Sequence, residues 1–80
     1  MDGWHIVNAI AVTNMITINA VELTNAQLEA LIKLVNRGWV LDYSSIHKLP
    51  AEQCIMIAVS GPNTGAKMVF GIEADGYTHS

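Results

Sequence analysis

The sequence predicts an α+β domain in which an antiparallel sheet of four to five strands carries one amphipathic helix on one face, in the order β-β-α-β-β-β. Three observations predict this class. One segment has helical periodicity with capping signals at both ends, short runs rich in Ile, Val and Thr surround it, and residues 54–59 are apolar at every position. Since the chain has 80 residues, residues 1–80 are expected to form a single domain.

The first two strands are predicted in residues 4–12 and 15–23, which are rich in Ile, Val and Thr. The second segment alternates as a half-buried strand does, and its apolar face would carry Ile16, Ile18 and Ala20. The intervening Thr13 and Asn14 predict a two-residue hairpin turn, because Asn tolerates a positive φ. A single long strand with a bulge is the alternative.

Residues 24–38 predict the helix. Thr24 is the expected N-cap, and Gln27 three residues later completes a capping box. Gly38 is expected to end the helix, and Glu29 and Lys33 form an i, i+4 ion pair on its outer face. The spacing i, i+3, i+4, i+7 predicts a core-facing stripe of Leu28, Leu31, Ile32 and Val35.

Three further strands are predicted in residues 39–43, 54–59 and 66–73, with residues 44–53 as a connection. A phosphate-binding loop is one interpretation of residues 61–67, which contain Gly61, Gly65 and Lys67. That motif requires four residues between its glycines, a lysine directly after the second glycine and a helix that begins there. Here three residues separate the glycines and a strand follows, so the segment predicts a hairpin turn.

The apolar composition predicts a homodimer. Hydrophobic residues make up 51% of the chain and charged residues only 14%, which leaves more apolar surface than so small a domain can cover alone. One helix covers one sheet face, so the other face is the expected seam. Alternation groups Ile55, Ile57, Val59 and Val69 on one face of the two central strands. The predicted dimer interface consists of Cys54, Met56, Ala58, Met68 and Phe70.

No catalytic residue, metal ligand or cofactor is predicted. Cys54 is the only cysteine, so it is expected to be a buried free thiol, with an intermolecular disulfide at the dimer seam as the alternative. His5, His47 and His79 match no metal-binding spacing, and His79 is expected in a frayed tail. Ser44 and His47 lie in no nucleophile signature, so the chain is not expected to be an enzyme. The remaining enzyme hypothesis would use Cys54 or His47.

The charge pattern excludes some partners. The net charge is −3, and the four basic residues lie far apart in the sequence, which argues against direct binding of nucleic acid. Residues 3–21 carry no formal charge but contain three Asn and two Thr, which fits neither a membrane span nor a signal peptide. A location in the cytoplasm of a bacterial host cell is therefore expected.

Tyrosines next to carboxylates mark the predicted partner-binding surface. Tyrosine is a frequent anchor of protein interfaces, because it buries a large area and still offers a hydrogen bond. The predicted surface consists of Asp42, Tyr43, Glu73, Asp75 and Tyr77.

The whole chain resembles small phage- or prophage-encoded inhibitors of the anti-CRISPR kind. The likeness lies in size and general character, since the chain is a small, mildly acidic domain of a few strands and one helix, with no catalytic signature and a polar end, EADGYTHS. It implies a non-enzymatic interaction protein that sterically blocks a bacterial CRISPR–Cas complex. The alternative is a small-molecule-binding or regulatory α+β domain with a pocket at the dimer seam.

Overall fold

The computed structural model describes residues 16–80. The strand predicted in residues 4–12 and the turn at Thr13 and Asn14 lie outside the described residues. The elements, in chain order, are β1 (Ile16–Ile18), β2 (Val21–Leu23), α1 (Asn25–Asn36), β3 (Val40–Lys48), β4 (Ile55–Ser60), β5 (Lys67–Ile72) and β6 (Thr78–His79). Strands β1 and β2 form one antiparallel sheet, and β3-β4-β5-β6 form a second in that order, which confirms the α+β class.

The prediction of one strand across residues 15–23 is wrong, because this segment is a hairpin. Asn19 and Ala20 have φ angles of 51° and 64°, as a two-residue hairpin turn of type I′ requires. The Asn19 side chain donates hydrogen bonds to the carbonyl oxygens of Ser44 (2.9 Å) and Ile46 (3.2 Å), which attaches the hairpin to β3. The apolar alternation of Ile16 and Ile18 extends to Ala20 inside the turn, so it does not reveal where the chain reverses.

Helix α1 begins and ends where its capping signals predict. The Thr24 hydroxyl accepts a hydrogen bond from the Gln27 amide (3.1 Å), and the Gln27 side chain accepts one from the Thr24 amide (3.0 Å), which confirms the capping box. Gly38 has a φ of 94°, and the chain leaves the helix there. Within residues 16–80, no helix has the length and apolarity that crossing a membrane requires.

The predicted core stripe of α1 is wrong by about one residue of rotation. The buried side chains are Gln27, Ala30, Leu31 and Leu34. Ile32 and Val35, which were expected in the core, are 50% and 46% exposed. The buried face of the helix includes Gln27, whose side chain is completely buried. The prediction missed this face because a pattern of apolar positions cannot assign a polar side chain to the core.

The register of β4 and β5 decides which side chains the helix covers. Ile57 pairs with Phe70 and Val59 with Met68, so all four lie on the helix-covered face. Met56 and Ala58 point to the opposite face, called here the open sheet face, where Ala58 pairs with Val69. The predicted grouping of Met68 and Phe70 with Met56 and Ala58 is therefore wrong, as is that of Val69 with the isoleucines. Apolar residues occupy both faces of β5, so alternation alone does not fix the register.

The core lies between α1, the β1–β2 hairpin and the helix-covered face. It is formed by Leu23, Ala30, Leu31, Leu34, Leu41, Ile46, Ile55, Ile57, Val59, Phe70 and Ile72. The turn between β4 and β5 is confirmed, since the Gly61 amide donates to the Ala66 carbonyl at 2.8 Å. Strand β3 continues five residues beyond its predicted end at Tyr43, through a register shift between Asp42 and His47.

The Gln27 side chain connects the helix to the sheet. Its amide nitrogen donates to the carbonyl oxygens of Gln53 (2.7 Å) and Ile72 (3.1 Å), which lie immediately before Cys54 and at the end of β5. The Thr24 hydroxyl donates to the Ala74 carbonyl at 2.7 Å. The first turn of α1 therefore holds the start of β4 and the end of β5 together.

Replacement of Gln27 by leucine is expected to lower the free energy of unfolding by about 2–4 kcal/mol, because each buried backbone group left unpaired costs about 1–3 kcal/mol. Urea unfolding of the wild type and Gln27→Leu measures this loss. The matched control is Gln53→Leu, since the Gln53 side chain is exposed and only its backbone takes part. Equal effects of the two substitutions would show that the buried hydrogen bonds contribute nothing.

Candidate functional site

Three side chains able to bind a metal converge at the end of the sheet where β4 begins and β5 ends. They are the Cys54 thiol, the Glu73 carboxylate and the His79 imidazole, and one donor atom from each lies within 4.8 Å of the other two. His79 Nε2 lies 2.8 Å from Glu73 Oε2. Cys54 is buried, while the Glu73 and His79 side chains are 45% and 41% exposed. This group is called the thiol–carboxylate–imidazole cluster.

Antiparallel pairing brings the cluster together. Ile55 pairs with Ile72, so the residues before β4 and after β5, Cys54 and Glu73, lie side by side. Strand β6 runs antiparallel to β5, and its residue His79 pairs with Gly71 of β5. The expectation that His79 lies in a frayed tail is therefore wrong. The sequence gives little sign of the cluster, because separations of 19 and six residues match no metal-binding motif.

The turn between β5 and β6, residues 73–77, is called the C-terminal turn. The Gly76 amide donates to the Glu73 carbonyl and the Glu73 amide to the Tyr77 carbonyl, both at 2.8 Å. Gly76 has a φ of 91°, and a Cβ atom there would lie 2.9 Å from the Ala26 carbonyl oxygen of α1. Glycine is thus required both for the turn and for its contact with the helix.

The His79 ring lies against β5 at Gly71. A Cβ atom at Gly71 would lie 2.7 Å from His79 Cε1 and 3.2 Å from Met56 Sδ, so a larger residue would displace the ring. The ring also stacks with Tyr77 of the C-terminal turn, with centroids 5.8 Å apart and planes at 28°. The position of the imidazole is therefore defined by Gly71, Tyr77 and Glu73.

Cys54 is a free thiol with 2% of its surface exposed, which confirms the predicted buried thiol. Burial raises the pKa of the thiol above its ordinary value, and the carboxylates of Glu73 and Glu52 raise it further. A nucleophilic cysteine needs a lowered pKa and access to substrate. Cys54 has neither, although a histidine lies beside it.

The predicted partner-binding residues lie in two groups. Asp42 and Tyr43 lie on β3 and the other three next to β6, at the two edges of the four-stranded sheet. Three strand spacings separate these edges, roughly 14 Å. Asp42 also has a local role, since its side chain accepts hydrogen bonds from the Ser44 amide (3.1 Å) and hydroxyl (2.6 Å). Glu73, Asp75 and Tyr77 lie together in the C-terminal turn.

The serines and histidine of β3 form no catalytic arrangement in the described residues. The Ser45 hydroxyl donates to the Asp42 carbonyl (2.6 Å) and accepts from the Ala58 amide (2.8 Å), which bridges the register shift between β3 and β4. His47 Nδ1 lies 3.0 Å from the Ser45 carbonyl oxygen rather than from a hydroxyl. These side chains satisfy backbone groups.

An apolar groove lies between α1, β1 and β3. Its volume is about 360 Å³, and its lining is made by Ile18, Leu28, Leu31, Ile32, Val35 and Tyr43. Two of its lining residues, Ile32 and Val35, are those that the sequence predicted in the core and that the structure leaves exposed. The sequence signal was present, since the apolar arc of the helix is wider than the row of residues that the sheet covers.

A polar cleft of about 460 Å³ lies on the other side of α1, between the helix and β6. Trp39 and Phe70 contribute to its lining and contact each other edge to face, with centroids 5.0 Å apart. Charged groups of both signs line it, namely Glu29, Lys33, Arg37 and Asp75. The cleft combines an aromatic surface with convergent polar groups, as many small-molecule sites do.

Comparison with protein-family models, curated proteins and solved structures found no match to this chain. The resemblance to inhibitors of the anti-CRISPR kind therefore stays a prediction.

The free energy of unfolding is expected to fall as the pH rises above about 8.5, the ordinary pKa of a thiol. Above this pH the unfolded chain releases the Cys54 proton while the folded chain, with its raised thiol pKa, retains it, so the unfolded state gains stability. Urea unfolding at about pH 7 and about pH 9.5 measures the change. Cys54→Ala should lose less stability between these two pH values. Equal losses in both proteins would contradict the assignment.

Proposed function

We propose that this protein is a non-enzymatic interaction protein that binds a protein partner through the C-terminal turn. The observation that carries the proposal is the state of Tyr77, whose side chain is 65% exposed although its backbone and ring are held in place. Asp75 Oδ1 accepts a hydrogen bond from the Tyr77 amide at 3.0 Å, and the ring stacks on His79. An exposed aromatic held in one orientation loses little conformational entropy on binding, which favours an anchor role.

The charge of this surface indicates the chemistry of the partner. The Asp75 carboxylate binds the Tyr77 amide, the Glu73 carboxylate contacts the histidine on which Tyr77 stacks, and the chain carries a net charge of −3. A basic protein surface would complement them. Together with the resemblance, this supports an inhibitor that sterically blocks the basic nucleic-acid groove of a CRISPR–Cas complex. Such an inhibitor would act in the cytoplasm of the bacterial host cell.

We also propose that the protein is a homodimer, with the apolar groove as its seam. The predicted seam on the sheet loses support, because Phe70 belongs to the core and Cys54 is buried. The groove has six apolar lining residues, whereas the open sheet face mixes Val40 and Val69 with Asp42 and Lys67. A second copy could place its own exposed Ile32 against the groove across a two-fold axis.

A small-molecule-binding domain is the second candidate function. The polar cleft favours it, because Trp39 offers an aromatic surface and Lys33 and Arg37 offer cations on the same side of α1. The ligand class that matches these groups is an aromatic anion. Specific, saturable binding of such a compound that Trp39→Ala abolishes would support this function over the interaction protein.

The interaction proposal predicts that Tyr77→Ala weakens partner binding by roughly 30-fold or more, the loss typical of an interface anchor. The measurement is biolayer interferometry against purified, guide-loaded CRISPR–Cas complexes, with target-DNA binding as a second readout. Tyr77→Phe is the matched control, since it keeps the ring and its stacking. Absence of binding to all the complexes would contradict the inhibitor proposal. Equal binding by Tyr77→Ala would contradict the assigned surface.

The dimer proposal predicts that Ile32→Lys raises the dissociation constant of the dimer at least about tenfold, because a charge would enter an apolar seam. Light scattering over a concentration series measures this constant. Val69→Lys on the open sheet face is the matched control and is expected to leave the dimer intact. A wild-type monomer at every concentration, or dissociation caused by Val69→Lys instead, would overturn the proposed seam.

A further inference from the structure

We propose that the thiol–carboxylate–imidazole cluster is a binding site for one zinc ion, with Cys54 Sγ, a Glu73 carboxylate oxygen and a His79 ring nitrogen as its ligands. Zinc binds sulfur, nitrogen and oxygen donors in tetrahedral geometry, and this cluster offers one of each. The inference does not rest on the proposed function, since zinc binding is measured without a partner.

The distances suit one ion. With zinc–ligand bonds of about 2.0–2.3 Å, the ligand atoms of a tetrahedral site lie about 3.3–3.7 Å from one another. The three donor atoms already lie within 4.8 Å of one another, and His79 Nε2 lies 2.8 Å from Glu73 Oε2. Shifts of less than about 1.5 Å therefore produce coordination distances. Side-chain rotation suffices for such shifts, because Glu73 and His79 are partly exposed.

The charges also suit a divalent cation. On binding, the Cys54 thiol releases its proton to solvent, a Zn–S bond forms, and the ion exchanges hydration waters for the protein ligands. The thiolate and the Glu73 carboxylate each carry one negative charge and the imidazole is neutral, so zinc makes the site neutral overall. Without the ion, a thiolate at this buried position would face the carboxylate uncompensated. The exposed side of the cluster leaves the fourth position to water.

Contacts within the protein hold the ligands in place independently of any ion. Gln27 binds the carbonyl groups of Gln53 and Ile72, the residues immediately before Cys54 and Glu73. The missing side chain at Gly71 makes the space that the His79 ring occupies. Two of the three ligands are thus positioned from the helix and the third from β5. Bound zinc would attach β6, and with it the C-terminal turn, to the start of β4.

The test is isothermal titration calorimetry of tag-free, reduced protein with zinc chloride. Absorption spectroscopy with cobalt chloride is the second measurement. The expected result is one zinc ion per chain, a higher melting temperature with zinc, and a thiolate-to-cobalt charge-transfer band in the near ultraviolet. Cys54→Ser and His79→Gln should each weaken zinc binding at least about tenfold. Gly71→Ala, which keeps all three ligands but displaces the His79 ring, should also weaken it.

His47→Gln is the matched control, because it removes a histidine that lies outside the cluster. It should bind zinc as the wild type does, and circular dichroism should show that all variants are folded. Three results would each overturn the proposal: no binding of zinc by the wild type, a cobalt spectrum without the thiolate band, or loss of binding in a control with retention in His79→Gln.

Discussion

The buried side chain of Gln27 is the interaction on which the arrangement of this domain depends. It lies in the first turn of α1, where its carbonyl completes the helix cap at Thr24 and its amide binds the carbonyls of Gln53 and Ile72. One fully buried polar group thus satisfies three backbone groups from three segments. Loss of these buried hydrogen bonds costs more free energy of unfolding than the loss of an exposed hydrogen bond, because the buried polar groups would be left unpaired. The Gln27 side chain therefore specifies how the helix lies on the sheet.

The chemistry of the domain is concentrated at the sheet end that Gln27 holds. Cys54 and Glu73 follow directly after the two carbonyl groups that it binds, and His79 reaches them from β6. Tyr77, the proposed anchor for a partner, stacks on the same histidine. The proposed zinc site and the proposed binding surface are therefore neighbours, and an ion at the first would order the second. The groove proposed as a dimer seam lies on the other side of α1 and is independent of both.

The sequence predicted the elements better than their relations. The capping box and the turn at Gly61 depend on local chemistry, so they could be predicted. The buried face of α1 could not, because a polar residue occupies its centre. The pairing of Ile57 with Phe70 depends on register, which an apolar run does not encode. The cluster depends on the pairing of three strands, so residues as distant in sequence as Cys54 and His79 gave no joint signal.

The central claim is that Gln27 holds the sheet end at which Cys54, Glu73 and His79 meet. Native-state amide hydrogen exchange of the wild type and Gln27→Leu tests it most directly. General destabilisation by Gln27→Leu accelerates exchange at the opposite end of the sheet too, where Leu41 pairs with Val59. The account predicts that amides at the Gln27 end, such as those of Ile55 and Glu73, are accelerated at least about tenfold more than the amides at that opposite end. Equal acceleration at both ends of the sheet, or none at the end near Cys54, would contradict it.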